Sequence, residues 1–514
     1  MANRIRKLAQ IFFLLLFLGL FLHARFPYES GWPSDIFLRT SPLAALTTAL
    51  SARTWIASML PAVLLLLLTI PLGRFFCGWI CPLGTVIDGS DRCLRRGKSS
   101  AGRESVRFRS WKFFILVALL CAALFSWQAA WFFDPLVMLT RVLTVSLYPA
   151  MALLTQGLFQ FGLASGMAEE QWYTLYAWMQ TWLLPVQSTS FEQSIPVLLL
   201  FTGVLALGLV SRRFRCRNLC TLAALLGLFS RFRVFGRSVD QNCTSCSLCQ
   251  RRCRMNAIED DYTITDSAEC IQCNECATVC KPQAISYRFG WRKSQGRIDL
   301  SRRRFIQATA TGIVGLAATR VGAGNRNEIG RLIRPPGALA EEAFLDRCIR
   351  CQACVRICSS TGACLQPALT QGGWEGVWSP RAVMRTGYCE YNCTLCGEIC
   401  PTGAIGKLDL AVKQQNKMGT AYFDKSRCIP WYRLEDCLVC EEHCPLPEKA
   451  IRFDEREVRT PEGEMRTVKF PYVREDLCIG CGICENKCPV VGQAAIFVTP
   501  AGEERQPVGV FAGA

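Results

Sequence analysis

Cys243-Thr244-Ser245-Cys246-Ser247-Leu248-Cys249-Gln250-Arg251-Arg252-Cys253 and Cys270-Ile271-Gln272-Cys273-Asn274-Glu275-Cys276-Ala277-Thr278-Val279-Cys280 share one spacing, C-x2-C-x2-C-x3-C. Three thiols at such short intervals wrap one corner of an iron–sulfide cube, and the fourth is delivered to a neighbouring cube. The tandem copy predicts two [4Fe–4S] clusters, one on Cys243, Cys246, Cys249 and Cys280, the other on Cys270, Cys273, Cys276 and Cys253. Each run leads into an Ala-Ile pair, Ala257-Ile258 or Ala284-Ile285, suited to a short strand against the cube. Tetrahedral zinc is the competing use of such thiols, and a full tandem repeat argues against it. Arg254 stands where proline is usual, and Lys281 separates Cys280 from Pro282.

Four more groups lie downstream: Cys348, Cys351, Cys354 and Cys358; Cys389, Cys393, Cys396 and Cys400; Cys428, Cys437, Cys440 and Cys444; Cys478, Cys481, Cys484 and Cys488. The last three close on Cys-Pro and lead to Ala404-Ile405, Ala450-Ile451 and Ala495-Ile496. Groups two and three have irregular first intervals, and Cys364 is a spare that could substitute. Disulfide frameworks do not repeat C-x2-C-x3-C-P, so six [4Fe–4S] clusters are expected in all. With His23 and His443 the only histidines and no C-x-x-C-H, no haem is expected. The net charge of +17 does not indicate nucleic acid. Six clusters at about two negative charges each would lower it to about +5, and the remaining basic residues flank apolar runs.

Those runs, about Leu8–Leu22, Trp55–Leu72, Phe113–Phe133 and Ile195–Val210, predict four membrane spans. Basic loops at 92–112 and 212–237 place both ends of this unit inside. The apolar stretch Val142–Ala164 and the Trp-rich stretch Trp172–Trp182 read as interfacial or re-entrant on the outer face. Cys77-Gly78-Trp79-Ile80-Cys81 and Cys216-Arg217-Asn218-Leu219-Cys220 are copies of one C-x3-C motif at cytoplasmic helix ends. Thiols four apart share a helix face, so the two pairs are candidates for one four-thiolate redox or metal site. The bland alternative is reduced structural thiols. Asp134, before Pro135 at the outer end of the third span, is a candidate acceptor for a quinol proton, or simply a helix N-cap.

Ser301-Arg302-Arg303-Arg304-Phe305-Ile306 followed by a mild apolar stretch to Thr319 resembles a twin-arginine export signal. Clusters are assembled in the cytoplasm, so an exported cluster domain has to cross folded.

The first 300 residues resemble the membrane ferredoxin of periplasmic nitrate reductase systems (NapH type), on Cys77–Pro82, the pair Cys216/Cys220 and the two-cluster run. Residues from about 301 look like the exported NapG/MauM-type ferredoxin. Thr221 stands where that family's second motif has proline. The resemblance implies a fusion: a four-span α-helical membrane bundle (1–237), an α+β bacterial-ferredoxin-like domain on the cytoplasmic side (238–300), a twin-arginine signal or anchor helix (301–325) and a periplasmic four-cluster polyferredoxin (326–514). It also implies that groups one and four share one ferredoxin fold, and groups two and three another. The activity expected is electron transfer from menaquinol, drawn from the quinone pool of the inner membrane, to a periplasmic reductase or cytochrome c. A metal-reducing maturation factor and a structural anchor are the rival readings.

Overall fold

The computed structural model describes residues 2–28, 33–94, 108–164, 169–182, 184, 190–290, 306–307, 309–310, 332–459 and 463–507. The twin-arginine segment lies almost wholly outside the described residues. Two compact units result, and neither follows one half of the chain. The first comprises residues 1–23, 32–143 and 194–320, the second residues 24–31, 144–193 and 321–514.

In the first unit, apolar helices Ala2–His23, Pro42–Ala52, Leu60–Leu72, Trp111–Leu124 and Ser194–Ala206 surround a core that includes Leu43, Met59, Leu83 and Leu116. Their other faces present Leu8, Phe12, Leu15, Leu64, Leu67 and Leu199 outward. Serine and proline start the second of these helices: Ser41 Oγ accepts from Ala44 N at 3.3 Å and Pro42 takes the first helical position. Only two described helices are long and apolar enough to cross a bilayer, Asn3–His23 and Pro135–Ala164. The runs at Trp55–Leu72, Phe113–Phe133 and Ile195–Val210 form shorter helices of 10–17 residues. The stretch Val142–Ala164, expected to be an interfacial or re-entrant helix, continues the 30-residue helix from Pro135.

The helix in the expected third span stops short for a local reason. Its helix ends at Leu124, where Ser126 turns left-handed (φ 60°), Ser126 N donates to Ala123 O and Trp127 N to Ala122 O. That is a Schellman stop with serine in the glycine position. The chain then returns beside Pro42–Ala52, with Ser126 Oγ on Ser51 O, Gln128 Nε2 on Thr48 Oγ1 at 2.8 Å and Ser41 Oγ on Asp134. Asp134 thus ends beside the C-x3-C motifs, not at the far end of a span.

The same unit contains a ferredoxin module. Strand β1 (Phe235–Val239), before the first cysteine run, pairs antiparallel with β2 (Ile285–Phe289), after the second.

The second unit repeats this plan twice. Between groups one and two lie β3 (Leu365–Pro367) and β4 (Pro380–Ala382), while Ala338 before group one bridges Ile405 after group two. Strand β5 (Thr420–Phe423), before group three, pairs with β8 (Ile496–Thr499), after group four. Between them the nine-residue strands β6 (Ile451–Arg459) and β7 (Met465–Val473) form a hairpin. Residues from the first half of the chain pack here too. Phe26 N donates to Ser360 Oγ at 2.8 Å, Gln193 Nε2 to Pro367 O at 2.7 Å, and Arg356 lies 4.1 Å over the Tyr148 ring.

Candidate iron–sulfur sites

Strand pairing decides which cysteines meet. Consecutive groups share a module, so the fourth thiol of one group crosses to the next. Cys253 joins Cys270, Cys273 and Cys276 around a cavity of about 350 Å³. Cys249 packs in the same core as Cys280, and its electrostatic neighbours are Cys243 and Cys246. In the second unit Cys400 joins Cys348, Cys351 and Cys354 around another cavity of about 350 Å³. Cys358 is the charged neighbour of Cys389, Cys393 and Cys396. Cys488 likewise stands with Cys428, Cys437 and Cys440, and Cys444 with Cys478 and Cys481, which neighbour Cys484. The expected pairing of group one with four and two with three is therefore overturned: one pairs with two, and three with four. Cys389 N donates to Cys481 O at 2.9 Å, which joins the two modules. Cys364 Sγ lies 3.9 Å from Cys358 Sγ, beside a complete set of four.

Backbone geometry distinguishes the regular groups from the irregular ones. In each C-x2-C-x2-C run the second cysteine is flanked by two left-handed residues: Ser245 and Ser247, Gln272 and Asn274, Arg350 and Gln352, Gly480 and Gly482. Alternating handedness turns successive N–H groups to one side, a concavity that suits an anionic cluster. Groups two and three, with altered first intervals, lack these pairs: Thr394 after Cys393 has φ −120° and Leu438 after Cys437 has φ −109°.

The two C-x3-C motifs do not lie on single helices. Cys77 sits in the short helix Phe75–Trp79, and Cys81 just before Pro82–Leu94. Cys216 sits in Phe214–Asn218, and Cys220 is the N-cap of Thr221–Phe229. Both copies break identically. Phe76 O accepts from Ile80 N and Cys81 N at 3.0 and 2.9 Å, and Arg215 O from Leu219 N and Cys220 N, both at 2.9 Å. The second thiol of each pair is placed at a helix start, and Gly84 N donates to Cys81 Sγ at 3.4 Å. All four thiols line one cavity of about 380 Å³ with Arg74, Arg213, Arg215, Pro135, Met255 and Ile271 among its walls. Met255 and Ile271 also line the cavity of Cys270, Cys273, Cys276 and Cys253, so one layer of side chains separates the two.

Three observations bear on whether a cluster fits this four-thiol arrangement. The cavity matches in volume the two whose ligand spacing is diagnostic. Among the described residues no three Cys, His, Asp or Glu side chains converge tightly enough for a single metal ion, there or in the ferredoxin modules. The thiols ring a volume, whereas tetrahedral zinc needs them about 2.3 Å from one point. Finally, Arg74 Nε and Nη2 and Arg215 Nη1 are buried without hydrogen-bond partners in the protein, which fits an anionic occupant.

Buried ion pairs fasten the ferredoxin module to the helices. Glu269 meets Arg74 at 3.1 Å, Arg109 at 3.1 Å and Lys112 at 2.5 Å. Burial alone would raise its carboxyl, but Lys112, Arg109 and Arg74 outweigh that and hold it at about 2. Asp88 is likewise held well below the carboxylate range: burial opposes this, and Arg213 and Arg254 overcome it. Arg254 reaches Asp88 at 3.0 Å and Glu275 at 2.5 Å, and Arg6 reaches Glu275 at 2.8 Å. The residue that departs from the usual proline is thus a clamp. Asp134 is 1 % exposed and caps Pro135–Val142, accepting from Leu136 N and Val137 N at 2.9 and 3.2 Å.

These sites define an iron–sulfur protein built of ferredoxin-type modules. Two families, each described as a 4Fe-4S binding domain, match the chain: one over residues 54–101 and again 193–239, each stretch holding one C-x3-C motif, the other over residues 471–491. The methylamine utilization ferredoxin-type protein MauM of Methylorubrum extorquens is 35% identical over 225 residues, 42% of this chain and 97% of that protein. Ferredoxin-type protein NapG of Escherichia coli is 35% identical over 210 residues, 39% of this chain and 85% of that protein. The chain belongs to the MauM/NapG ferredoxin-type family. No solved structure matches it.

Proposed function

We propose that the chain is a membrane-bound electron carrier that takes electrons from menaquinol and delivers them to a periplasmic oxidoreductase or cytochrome c. In this reading it fuses a NapH-type membrane part to a NapG/MauM-type exported part, with residues 301–325 serving export or anchoring. Outward-facing leucines on helices such as Ala2–His23, Leu60–Leu72 and Ser194–Ala206 support the membrane assignment. The observation that carries the electron-transfer reading is the wall of Met255 and Ile271 shared by the four-thiol cavity and the ferredoxin cavity. It makes Cys77, Cys81, Cys216 and Cys220 a seventh seat, one more than the spacing alone predicts. When bound, a [4Fe–4S] cluster supplies one-electron transfer at a potential that its surroundings set. The protein's part is to hold the thiols, exclude water with Leu83, Leu222, Met255 and Ile271, and supply the charges that balance the cluster.

The test is anaerobic purification in detergent, iron analysis and addition of a menaquinol analogue. Seven seats predict about 28 iron per chain and bleaching of the iron–sulfur absorbance by quinol. Full iron content with bleaching by dithionite but not by quinol would overturn the quinol reading.

A further inference from the structure

The two C-x3-C copies are alike in backbone and unlike in charge. Position by position, Phe76, Gly78 and Trp79 of the first copy correspond to Arg215, Arg217 and Asn218 of the second. Arg215 therefore sits where the repeat would place an aromatic ring. It is 4 % exposed and lines the four-thiol cavity. The other two arginines in that wall have buried carboxylates, Glu269 for Arg74 and Asp88 for Arg213. For Arg215 the structure gives a backbone partner, Phe133 O at 2.9 Å, and leaves Nη1 without one. Asp134, whose charge Arg215 feels, has its oxygens engaged by Leu136 N, Val137 N and Ser41 Oγ. The cavity of Cys253, Cys270, Cys273 and Cys276 has its own buried arginine, Arg237, bonded to Tyr262 O, Thr263 O, Thr265 Oγ1 and Cys249 Sγ, so what sets the four-thiol site apart is the place of Arg215 in the repeat.

A buried cation favours the more negative state of a cluster, so it raises the reduction potential. We propose that Arg215 is a positioning charge that raises the reduction potential of the Cys77/Cys81/Cys216/Cys220 site. This rests on the reading of that site as an iron–sulfur seat. It also gives a reason for the broken repeat: quinol is a weak reductant, and a seat that accepts its electrons needs a potential well above that of an ordinary ferredoxin.

The experiment uses the full-length protein in detergent, poised at a series of potentials and read by electron paramagnetic resonance, with iron analysed in parallel. The Cys216→Ser/Cys220→Ser variant identifies which signal belongs to the seat, by its loss together with about four iron. Arg215→Gln is expected to keep its iron and to lower the reduced-to-oxidised ratio of that signal at least tenfold at fixed potential, a shift of 59 mV for one electron. Arg215→Lys, which keeps the charge, is expected to stay within about threefold of wild type. Arg215→Gln with full iron and an unmoved potential would overturn the proposal. Loss of four iron from both arginine variants would also overturn it, by making the residue structural. A double cysteine variant that loses neither iron nor signal would remove the seat itself, and so distinguishes failure of the underlying reading from failure of the tuning.

Discussion

Replacing Gly78 by alanine should separate the ferredoxin module from the helices it docks on. A β-carbon built on Gly78 would stand 2.2 Å from Ile271 O, with the Ile271 carbonyl carbon at 3.3 Å. Ordinary contact begins near 3.4 Å, so the two backbones have to part by about 1 Å. Neither side yields easily: Gly78 lies between Cys77 and Cys81, Ile271 follows Cys270, and Trp79 Nε1 holds Gln272 O at 3.1 Å. Overpacking of this kind costs about 1–3 kcal/mol, with the upper end expected because the obstacle is backbone. For a unit of this size that corresponds to a fall in melting temperature of about 2–10 °C. Gly89 is the control, since a β-carbon there meets nothing within 4 Å; alanine in that helix should stabilise by up to about 1 kcal/mol. The assay is thermal unfolding of both variants in detergent, with iron content and the rate of reduction through the module. A Gly78→Ala protein that melts with wild type and is reduced at the same rate would refute the close approach and the shared wall.

Arg254→Pro restores the usual residue but leaves Asp88 and Glu275 short of a cation; a loss of about 1.5–3 kcal/mol is expected from lost charged hydrogen bonds, read by denaturant unfolding. Lys112→Met leaves Glu269 with two of its three cations and should cost about 2–5 kcal/mol, checked in the same way. Cys364→Ser should retain full iron, while Cys358→Ser should disturb the cluster of Cys389, Cys393 and Cys396, as resolved by Mössbauer spectroscopy; the reverse result would make Cys364 the ligand. After iron removal under reducing conditions, exposed Cys246, whose thiol is lowered by the N–H of Leu248, should alkylate first at neutral pH. Cys440 and Cys481, pushed up to about 12 chiefly by burial, remain protonated thiols there and should react last, as peptide mapping would show.

The cluster modules were legible because their chemistry is local. A C-x2-C-x2-C run dictates both which thiols gather and the left-handed residues that aim the backbone, and strand β2 begins at the Ile285 that the Ala-Ile pair marked. What lay beyond the sequence was set by distant partners. Groups one to four are similar enough that spacing cannot say which shares a module; the pairing of β5 with β8 decides it. Hydropathy extended the third span past Leu124 because a serine stop at Ser126 carries no apolar signal. The C-x3-C motifs suggested one helical face, yet Pro82, which suits the first position of a new helix, already marked the break that the structure shows at Cys81. Arg254 read as a departure from pattern, and only the positions of Asp88 and Glu275 give it a purpose.

That break explains why a duplicated motif serves two different tasks. The repeat needs its backbone intact, because the doubly accepting carbonyls of Phe76 and Arg215 set each second thiol at a helix start. Side chains outside the four cysteines are free to differ, and they do. The first copy has glycine at position 78, which lets the Ile271 carbonyl approach, and Trp79, which holds Gln272 O; it is the docking side for the ferredoxin module. Arginine stands at the matching position 217 of the second copy, and a side chain of that size would not fit against a carbonyl at such range. Released from docking, the second copy carries charge instead. One backbone duplication therefore yields a site with a contact face toward the ferredoxin module and a charged face toward its own thiols, and on the proposed reading substitution of Gly78 and of Arg215 should affect separate observables, coupling for the first and potential for the second.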